Sequence, residues 1–140
     1  MTQHFAKSQA TQALAARLRG HAVRMTNRAR ASHIGSCLSM ADILAVLYGS
    51  AMRVDPACPD WADRDRLVVS EGHAAAIVYA ALAEAGFIDI AELETYAQDG
   101  SRLAGHVTKT VPGVELSTGS LGHGLPVAAG MALAAKRAKA

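Results

Sequence analysis

The stretch RLVVSEGHAAAIVYAALAEAG, residues 66–86, decides the fold class of this 140-residue sequence. Its first part, Arg66–Ser70, is a short β-branched run between charged and turn residues, so we predict a β-strand there. The run that follows, His73–Ala85, is apolar on almost every side and predicts a buried helix that ends at Gly86. A strand that leads into a buried helix is typical of an α/β fold with a parallel sheet.

The residues before this stretch predict two helices. The first covers residues 8–30, because apolar residues recur at spacings of three and four. These residues are Ala10, Leu14, Leu18, Ala22, Met25 and Ala29. A second helix is predicted after the loop ASHIGSCLS, with Ser39 as its N-cap and Asp42 completing a capping box.

The residues after it are also mostly helical or in loops. Asp89 with Glu92 predicts the capped start of a short helix. Residues 99–124 predict a long loop with six glycines and one proline, and long ordered loops often carry function. A last helix is predicted from near Pro126. The expected fold class is therefore α/β, mostly helical within this chain.

The single predicted strand leaves both of its edges without a neighbour. An unpaired buried backbone is costly, so a parallel sheet needs further strands. We expect the next strand just beyond residue 140, which makes residues 1–140 an incomplete part of their domain.

Composition limits the class of protein further. Hydrophobic residues make up 51% of the sequence, which is enough for one domain with a sizeable core. Six basic residues precede the first acidic residue, Asp42, and eight basic and twelve acidic residues remain from there onward. This basic start is open to three interpretations: a transit peptide, an arm for nucleic acid or phosphate, or the exposed face of the first helix. We favour the surface helix because the apolar stripe is regular.

The small numbers of aromatic residues and cysteines, and the lack of long apolar runs, bear on the expected partners and cellular compartment. Aromatic residues are only 4% of the sequence, so base stacking has little support and we expect no nucleic-acid partner. We find no apolar secretory core at the N-terminus and no run of about 18 apolar residues, and therefore expect no membrane partner. Cys37 and Cys58 are the only cysteines, which favours a reduced cytoplasmic protein.

Four of the six histidines lie at a predicted loop or helix entrance and next to or within two residues of a glycine: His33, His73, His106 and His123. Glycine lets a backbone approach a ligand, and imidazole can donate, accept or move a proton near neutral pH. Each histidine alone is more simply structural, but several such turns together predict a polar pocket for a hydroxylated or phosphorylated small molecule. Zinc binding is disfavoured, because His33 and Cys37 have no second close pair of ligands.

The glycine-rich stretch STGSLGHG, Ser117–Gly124, opens the last helix. Its glycines are spaced G-x-x-G-x-G and no strand immediately precedes it, so it is not the dinucleotide fingerprint. The free amides and positive dipole end of a helix suit a diphosphate, although such turns are often only tight turns.

Three segments in this order resemble the N-terminal part of transketolase, especially the N-terminal subunit of split transketolases. They are SHIGSCLSMADILAVLY, DRDRLVVSEGHAAAIVYAALAEAGF and LAGHVTKTVPGVELSTGSLGHGLPVAAGMALAAK. The resemblance covers nearly the whole chain from about residue 10. It implies that residues 1–140 are the N-terminal part of a thiamine diphosphate-binding domain, in which helices flank a parallel sheet.

The resemblance also implies roles for individual residues. His33 stands for the histidine of the family's G-H-P-G motif and would contact substrate hydroxyls, and His106 would meet the ketose C1 hydroxyl; both would be catalytic. The residues implied in cofactor binding are His73, Gly119, Ser120, Leu121 and His123. His73 would lie near the diphosphate, and His123 stands where many members carry glutamine.

The implied activity is the transfer of a two-carbon ketol unit between sugar phosphates, with thiamine diphosphate and Mg2+ or Ca2+. The family's metal-binding G-D-G segment does not follow in this sequence, so the metal ligands are expected outside this chain. The implied partner is a C-terminal transketolase subunit or the remaining segment of the enzyme, in a homo- or hetero-oligomer. Two alternatives stay open: a related thiamine enzyme that makes deoxyxylulose phosphate or an acyloin, and a non-catalytic remnant or assembly subunit.

Overall fold

The computed structural model describes the backbone of residues 2–138 and the side chains of residues 8–138. Within that range it has α-helices at Thr2–Ala29 (α1), Ile34–Val46 (α2), Ala75–Glu84 (α3) and Gly124–Ala138 (α4). A π-helical turn, Leu47–Ala51, continues α2, and short 3-10 turns lie at Gly72–Ala74 and Ile90–Thr95. All the predicted helices are therefore found, with boundaries that differ by a few residues.

The core is a three-helix arrangement in which α1, α2 and α3 pack on one another. Every residue of Ala75–Ala83 in α3 is buried, as its all-round apolar sequence predicts. Leu18, Ala22 and Met25 of the α1 stripe are also buried. Small alanine side chains let the helices approach closely, which explains how a chain with few aromatic residues fills its core.

Several basic residues of α1 pair with acids of neighbouring helices. Arg17 Nε and His21 Nε2 lie 2.9 and 3.0 Å from the two carboxylate oxygens of Glu84, at the end of α3. Arg19 pairs with Asp42 of α2. These contacts confirm the interpretation of the basic start as a surface helix.

The predicted cap at Ser39 is wrong, because α2 begins five residues earlier. His33 is the N-cap, with φ 71° in the left-handed region, and this turn starts the helix. Ser39 lies inside the helix, where its hydroxyl donates to the Ser36 carbonyl at 2.8 Å. The cap at Asp89 is confirmed, since its carboxylate accepts the Ala91 amide at 2.8 Å.

The predicted strand at Arg66–Ser70 is also wrong: residues 2–138 contain no strand. A strand needs a neighbour, and the backbones of Leu67 and Val68 have no hydrogen-bond partner in the described chain. A groove of about 400 Å3 separates this segment from α2, and one of about 620 Å3 separates it from α4. The segment thus runs between two helices with space on both sides.

One stretch of the described chain, Ile34–Ala51, is long and apolar enough to cross a membrane by length and composition alone. The expectation that no such run exists is therefore wrong, because α2 and the π-helical turn join into one helical stretch. Core helices of soluble proteins pass the same test, so it is weak support for a span. The inner face of α2 packs on the core, whereas Ile43 and Val46 are exposed.

Candidate functional site

Three histidines from distant parts of the sequence lie together. The ring centroids of His33 and His73 are 5.2 Å apart, and those of His33 and His106 are 5.9 Å apart, each pair in an edge-on arrangement. In the described chain, no hydrogen bond engages the ring nitrogens of these three side chains. The cluster therefore offers imidazole donors and acceptors that the described protein leaves unused.

His33 is held in a strained conformation at the start of α2. Its φ of 71° is unusual for a residue other than glycine and costs about 1–3 kcal/mol. The Ser36 hydroxyl donates to the His33 carbonyl at 2.8 Å and fixes this turn. The imidazole is exposed, so its nitrogens are open to a ligand. Strain of this kind is concentrated at functional positions.

His73 lies in the 3-10 turn that leads into α3 and is half-buried. The turn passes so close to the glycine-rich loop that only glycine fits before the histidine. A Cβ added at Gly72 would lie 1.9 Å from the carbonyl oxygen of Thr118. Gly72 therefore lets the two segments touch through their backbones.

His106 is placed by hydrogen bonds to its own and the next residue's backbone. The buried Tyr79 hydroxyl of α3 donates to the His106 carbonyl at 2.8 Å, and the Val107 amide donates to the Gly72 carbonyl at 2.9 Å. Burial raises the pKa of Tyr79, so the phenol stays a neutral donor. The loop at His106 is thus tied both to Gly72, the first residue of the turn that carries His73, and to the middle of α3.

The glycine-rich loop lies beside this cluster. Buried Thr118 donates its amide to the Val107 carbonyl at 3.1 Å and its hydroxyl to the Val69 carbonyl at 2.8 Å. A Cβ at the next residue, Gly119, would be 3.9 Å from Cδ2 of His106. In the described residues, the amides of Gly119, Ser120 and Leu121 have no hydrogen-bond partner.

His123 is not brought into ring contact with the other three histidines of the described chain. Its Nδ1 lies 2.7 Å from the carbonyl oxygen of Ser120, so the ring folds back on its own turn. The amides of Gly122, His123 and Leu125 are bonded within the chain as well. The free amides of the preceding turn, Gly119–Leu121, thus remain available at this helix entrance, where the Leu121 side chain is 70% exposed.

Sequence reasoning missed Gly72, Tyr79 and Thr118 as parts of the site. Tyr79 carried a signal: it is the one hydroxyl in a helix that is apolar up to its last residue, Glu84, and a buried tyrosine hydroxyl needs a partner. Thr118 carried none, because its partner, the Val69 carbonyl, is 49 residues away.

Metal and diphosphate groups fit these residues differently. Residues 8–138 hold no cluster of three or more His, Cys, Asp or Glu side chains that could bind a metal ion. Cys37 is buried between helices, and burial raises the pKa of its thiol, which makes it a poor ligand. The free amides and partner-free imidazoles of the described site suit the anionic and polar parts of a diphosphate cofactor.

A glycine turn with free amides at a helix entrance, beside a histidine cluster, is typical of phosphate-binding domains of the α/β class. The family model described as "Transketolase, thiamine diphosphate binding domain" matches residues 10–140. This chain belongs to the transketolase family and forms part of its N-terminal thiamine diphosphate-binding domain.

Two relatives are components of split transketolases. Over 118 residues, the chain is 47% identical to one component of the apulose-4-phosphate transketolase of Phocaeicola vulgatus, and the match covers 84% of this chain and 42% of that protein. It is 46% identical over 104 residues to one component of the 6-deoxy-6-sulfo-D-fructose transketolase of a Clostridium species, covering 73% of this chain and 38% of that one. The chain thus spans less than half the length of these relatives.

The fold is also that of a solved transketolase. The crystal structure of transketolase from Campylobacter jejuni superposes with a TM-score of 0.87 and 40% identity, covering 94% of this chain and 21% of that one. This confirms the resemblance and the fold class: the chain is the N-terminal, mostly helical portion of the transketolase fold. The relatives favour transketolase over the other thiamine enzymes considered above.

Proposed function

We propose that this chain supplies one wall of the thiamine diphosphate cleft in an enzyme that transfers a two-carbon ketol unit between sugar phosphates. The main support is the cluster of His33, His73 and His106, whose ring nitrogens have no partner in the described chain. The ring of His106 also lies beside Gly119. The transketolase relatives support the same function, because their identity extends over most of this chain.

The three histidines would have different roles because their side chains differ in exposure. His33 and His106 are exposed and would hydrogen-bond the hydroxyls of a sugar phosphate and move protons at them, a contribution of about 10²–10⁴-fold in rate. His73 is half-buried at the start of α3 and would face the diphosphate. Thiamine diphosphate, when bound, supplies the chemistry that stabilises the two-carbon unit during transfer.

The glycine turn would hold the cofactor by its backbone. The amides of Gly119, Ser120 and Leu121 would donate to diphosphate oxygens, and the exposed Leu121 side chain would cover an apolar part of the cofactor. His123 would add a contact through Nε2, because its Nδ1 is engaged by Ser120. A divalent ion, Mg2+ or Ca2+, would be held by residues outside this chain.

The side of the fold that contains Leu67, Val68 and the two grooves, here called the open side, supports our proposal that a further polypeptide packs on this chain. Backbone groups of Leu67 and Val68 lack partners within residues 2–138, and the exposed Ile43 and Leu133 lie on the helices that flank the two grooves. We propose that a C-terminal transketolase subunit, or the remaining segment of the enzyme, completes the sheet and the site in an oligomer. Cys37 and Cys58 are free thiols, which supports our proposal of a cytoplasmic location.

The test is a titration of thiamine diphosphate with Mg2+, read by calorimetry. We expect weak binding to the chain alone and tight binding once the polypeptide that carries the G-D-G segment is added, together with ketol transfer between sugar phosphates. His33→Asn and His106→Asn should lower turnover in the assembly about 10²-fold or more. The control is His21→Asn at the junction of α1 and α3, which should leave turnover intact. Tight binding by the chain alone, or normal turnover in both variants, would contradict the proposal.

A further inference from the structure

Arg64 and Glu115 form a buried ion pair between two loops. Arg64 Nη2 lies 2.7 and 2.9 Å from the two carboxylate oxygens of Glu115, and the side chains are only 13% and 11% exposed. Arg64 Nη1 also donates to the Trp61 carbonyl at 3.0 Å. Taking both charges out of water is costly, so such a pair is better understood as fixing a geometry than as adding stability.

The pair joins the two segments that form the site. Arg64 precedes the segment Leu67–Ser70, which leads to Gly72 and His73. Glu115 lies three residues before Thr118, which bonds to both Val69 and Val107. The ion pair therefore joins the two segments shortly before the point where their backbones meet beside the histidines.

The loop that carries Glu115 is held by other segments, including the hydrogen bond from Tyr79 to the His106 carbonyl and that from Thr118 to the Val69 carbonyl. In the described chain it has no helix or strand from residue 96 to residue 123, so its position depends on contacts with other segments. The only other ion pair of this loop in the described residues, Arg102 with Glu92, lies at its more exposed beginning. The pair of Arg64 and Glu115 is thus the ion pair that fixes the second half of this loop.

We propose that Arg64 and Glu115 are positioning residues, which hold the loop 106–119 so that His106 and Gly119 face the cofactor. This inference rests on the proposed function. The geometric part concerns the chain itself: without the pair, the bonds from Val107 to Gly72 and from Thr118 to Val107 should open more often, while the helical core stays closed.

The test compares Glu115→Gln with the double variant Arg64→Gln/Glu115→Gln in the full chain. Glu115→Gln leaves a buried guanidinium unpaired and should lower the unfolding midpoint. The double variant removes both charges and should regain most of that midpoint. In both variants, amide hydrogen exchange at Val107 and Thr118 should rise about tenfold relative to α3, and the completed assembly should bind thiamine diphosphate about tenfold more weakly.

Arg53→Gln is the matched control, because Arg53 forms a more exposed pair, at 3.3 Å, with Asp65, the residue that follows Arg64 in the same loop. It should change neither exchange nor cofactor affinity. If the pair were merely structural, amide exchange at Val107 and Thr118 would follow the unfolding midpoint, and the double variant would restore both quantities. That result would overturn the proposal, and so would wild-type exchange in both variants. If Glu115→Gln does not fold, the double variant alone decides it.

The exchange measurement needs no cofactor, so the two proposals fail in different ways. A wild-type assembly that does not bind thiamine diphosphate would refute the proposed function and leave the exchange result standing. An intact cofactor affinity with unchanged exchange in both variants would refute the positioning role alone.

Discussion

The helical core and the open side of this chain differ in how many of their apolar, charged and backbone groups have partners within the described chain. In the core, α3 is buried along almost its whole length against α1 and α2, and basic residues of α1 find acidic partners. On the open side, within the part of the chain that the structure describes, the segment Leu67–Ser70 has unpaired backbone groups and the turn Gly119–Leu121 has free amides. There α4 also exposes Leu125 and Leu133.

The buried side accounts for the fold of the described residues, and the open side is where we propose that the site lies. In the described core, the apolar side chains are buried and Arg17 and Arg19 of α1 are paired with acidic residues. The open side carries groups that a ligand and further polypeptide would satisfy. Substitutions in the two regions should therefore be distinguishable by whether stability of the chain or activity of the assembly responds.

The largest expected difference is between leucines of the two regions. Leu82→Ala removes a fully buried side chain and should lower the free energy of unfolding by about 2–5 kcal/mol. Leu133→Ala removes a side chain that is 52% exposed and should change it by less than about 0.5 kcal/mol. Denaturant unfolding of the chain alone checks both values, and equal losses would break the comparison.

The next effect concerns the close approach at the site. Gly72→Ala places a Cβ against the Thr118 carbonyl and should cost about 1–3 kcal/mol or more, because a backbone segment has to move. Gly130→Ala in α4 meets no atom within 4 Å and should be neutral or stabilise the helix by up to about 1 kcal/mol. Thermal unfolding distinguishes them; a harmless Gly72→Ala would show that the two segments do not touch.

A smaller effect is expected from the tyrosine that ties the core to the site. Tyr79→Phe removes the hydrogen bond to the His106 carbonyl and should cost about 1 kcal/mol. Tyr48→Phe is the control, since the hydroxyl of Tyr48 has no hydrogen-bond partner in the described residues. Denaturation midpoints measure the difference, and equal midpoints would remove Tyr79 as a support of the loop.

The smallest effect is a pH dependence of the core. Burial raises the pKa of Glu84, but hydrogen bonds from Arg17 and His21 outweigh it, so the pKa lies below its ordinary value. The resulting stabilisation, about 1 kcal/mol or less, is present above the unfolded pKa and is lost as the pH falls through the folded one. Unfolding measured from about pH 6 to about pH 3 should lose this component in Glu84→Gln. An unchanged acid slope would contradict the role of this pair.

Local patterns predicted much of the fold. The stripe of α1 and the all-round apolar run of α3 locate buried helices, and Asp89 marks a cap, because each depends on neighbours in sequence. The cap at Ser39 failed because His33 adopts a left-handed turn that its residue type does not favour. The strand at Arg66–Ser70 failed because a strand depends on neighbours that residues 2–138 do not provide.

The candidate site was predictable as a set of glycine-flanked histidines but not as a geometry. His33, His73 and His106 come together only through contacts between segments, and the sequence offers no local sign of them. His123 shares the same local pattern, yet a bond to Ser120 turns it aside. Spacing along the chain therefore cannot separate the clustered histidines from the fourth.

The most direct test of the central claim follows the imidazole signals of the completed assembly by NMR while thiamine diphosphate and Mg2+ are added. We predict that the signals of His33, His73 and His106 shift together at one cofactor concentration, whereas that of His21, at the junction of α1 and α3, stays unchanged. Cofactor binding that leaves all three signals in place would contradict it.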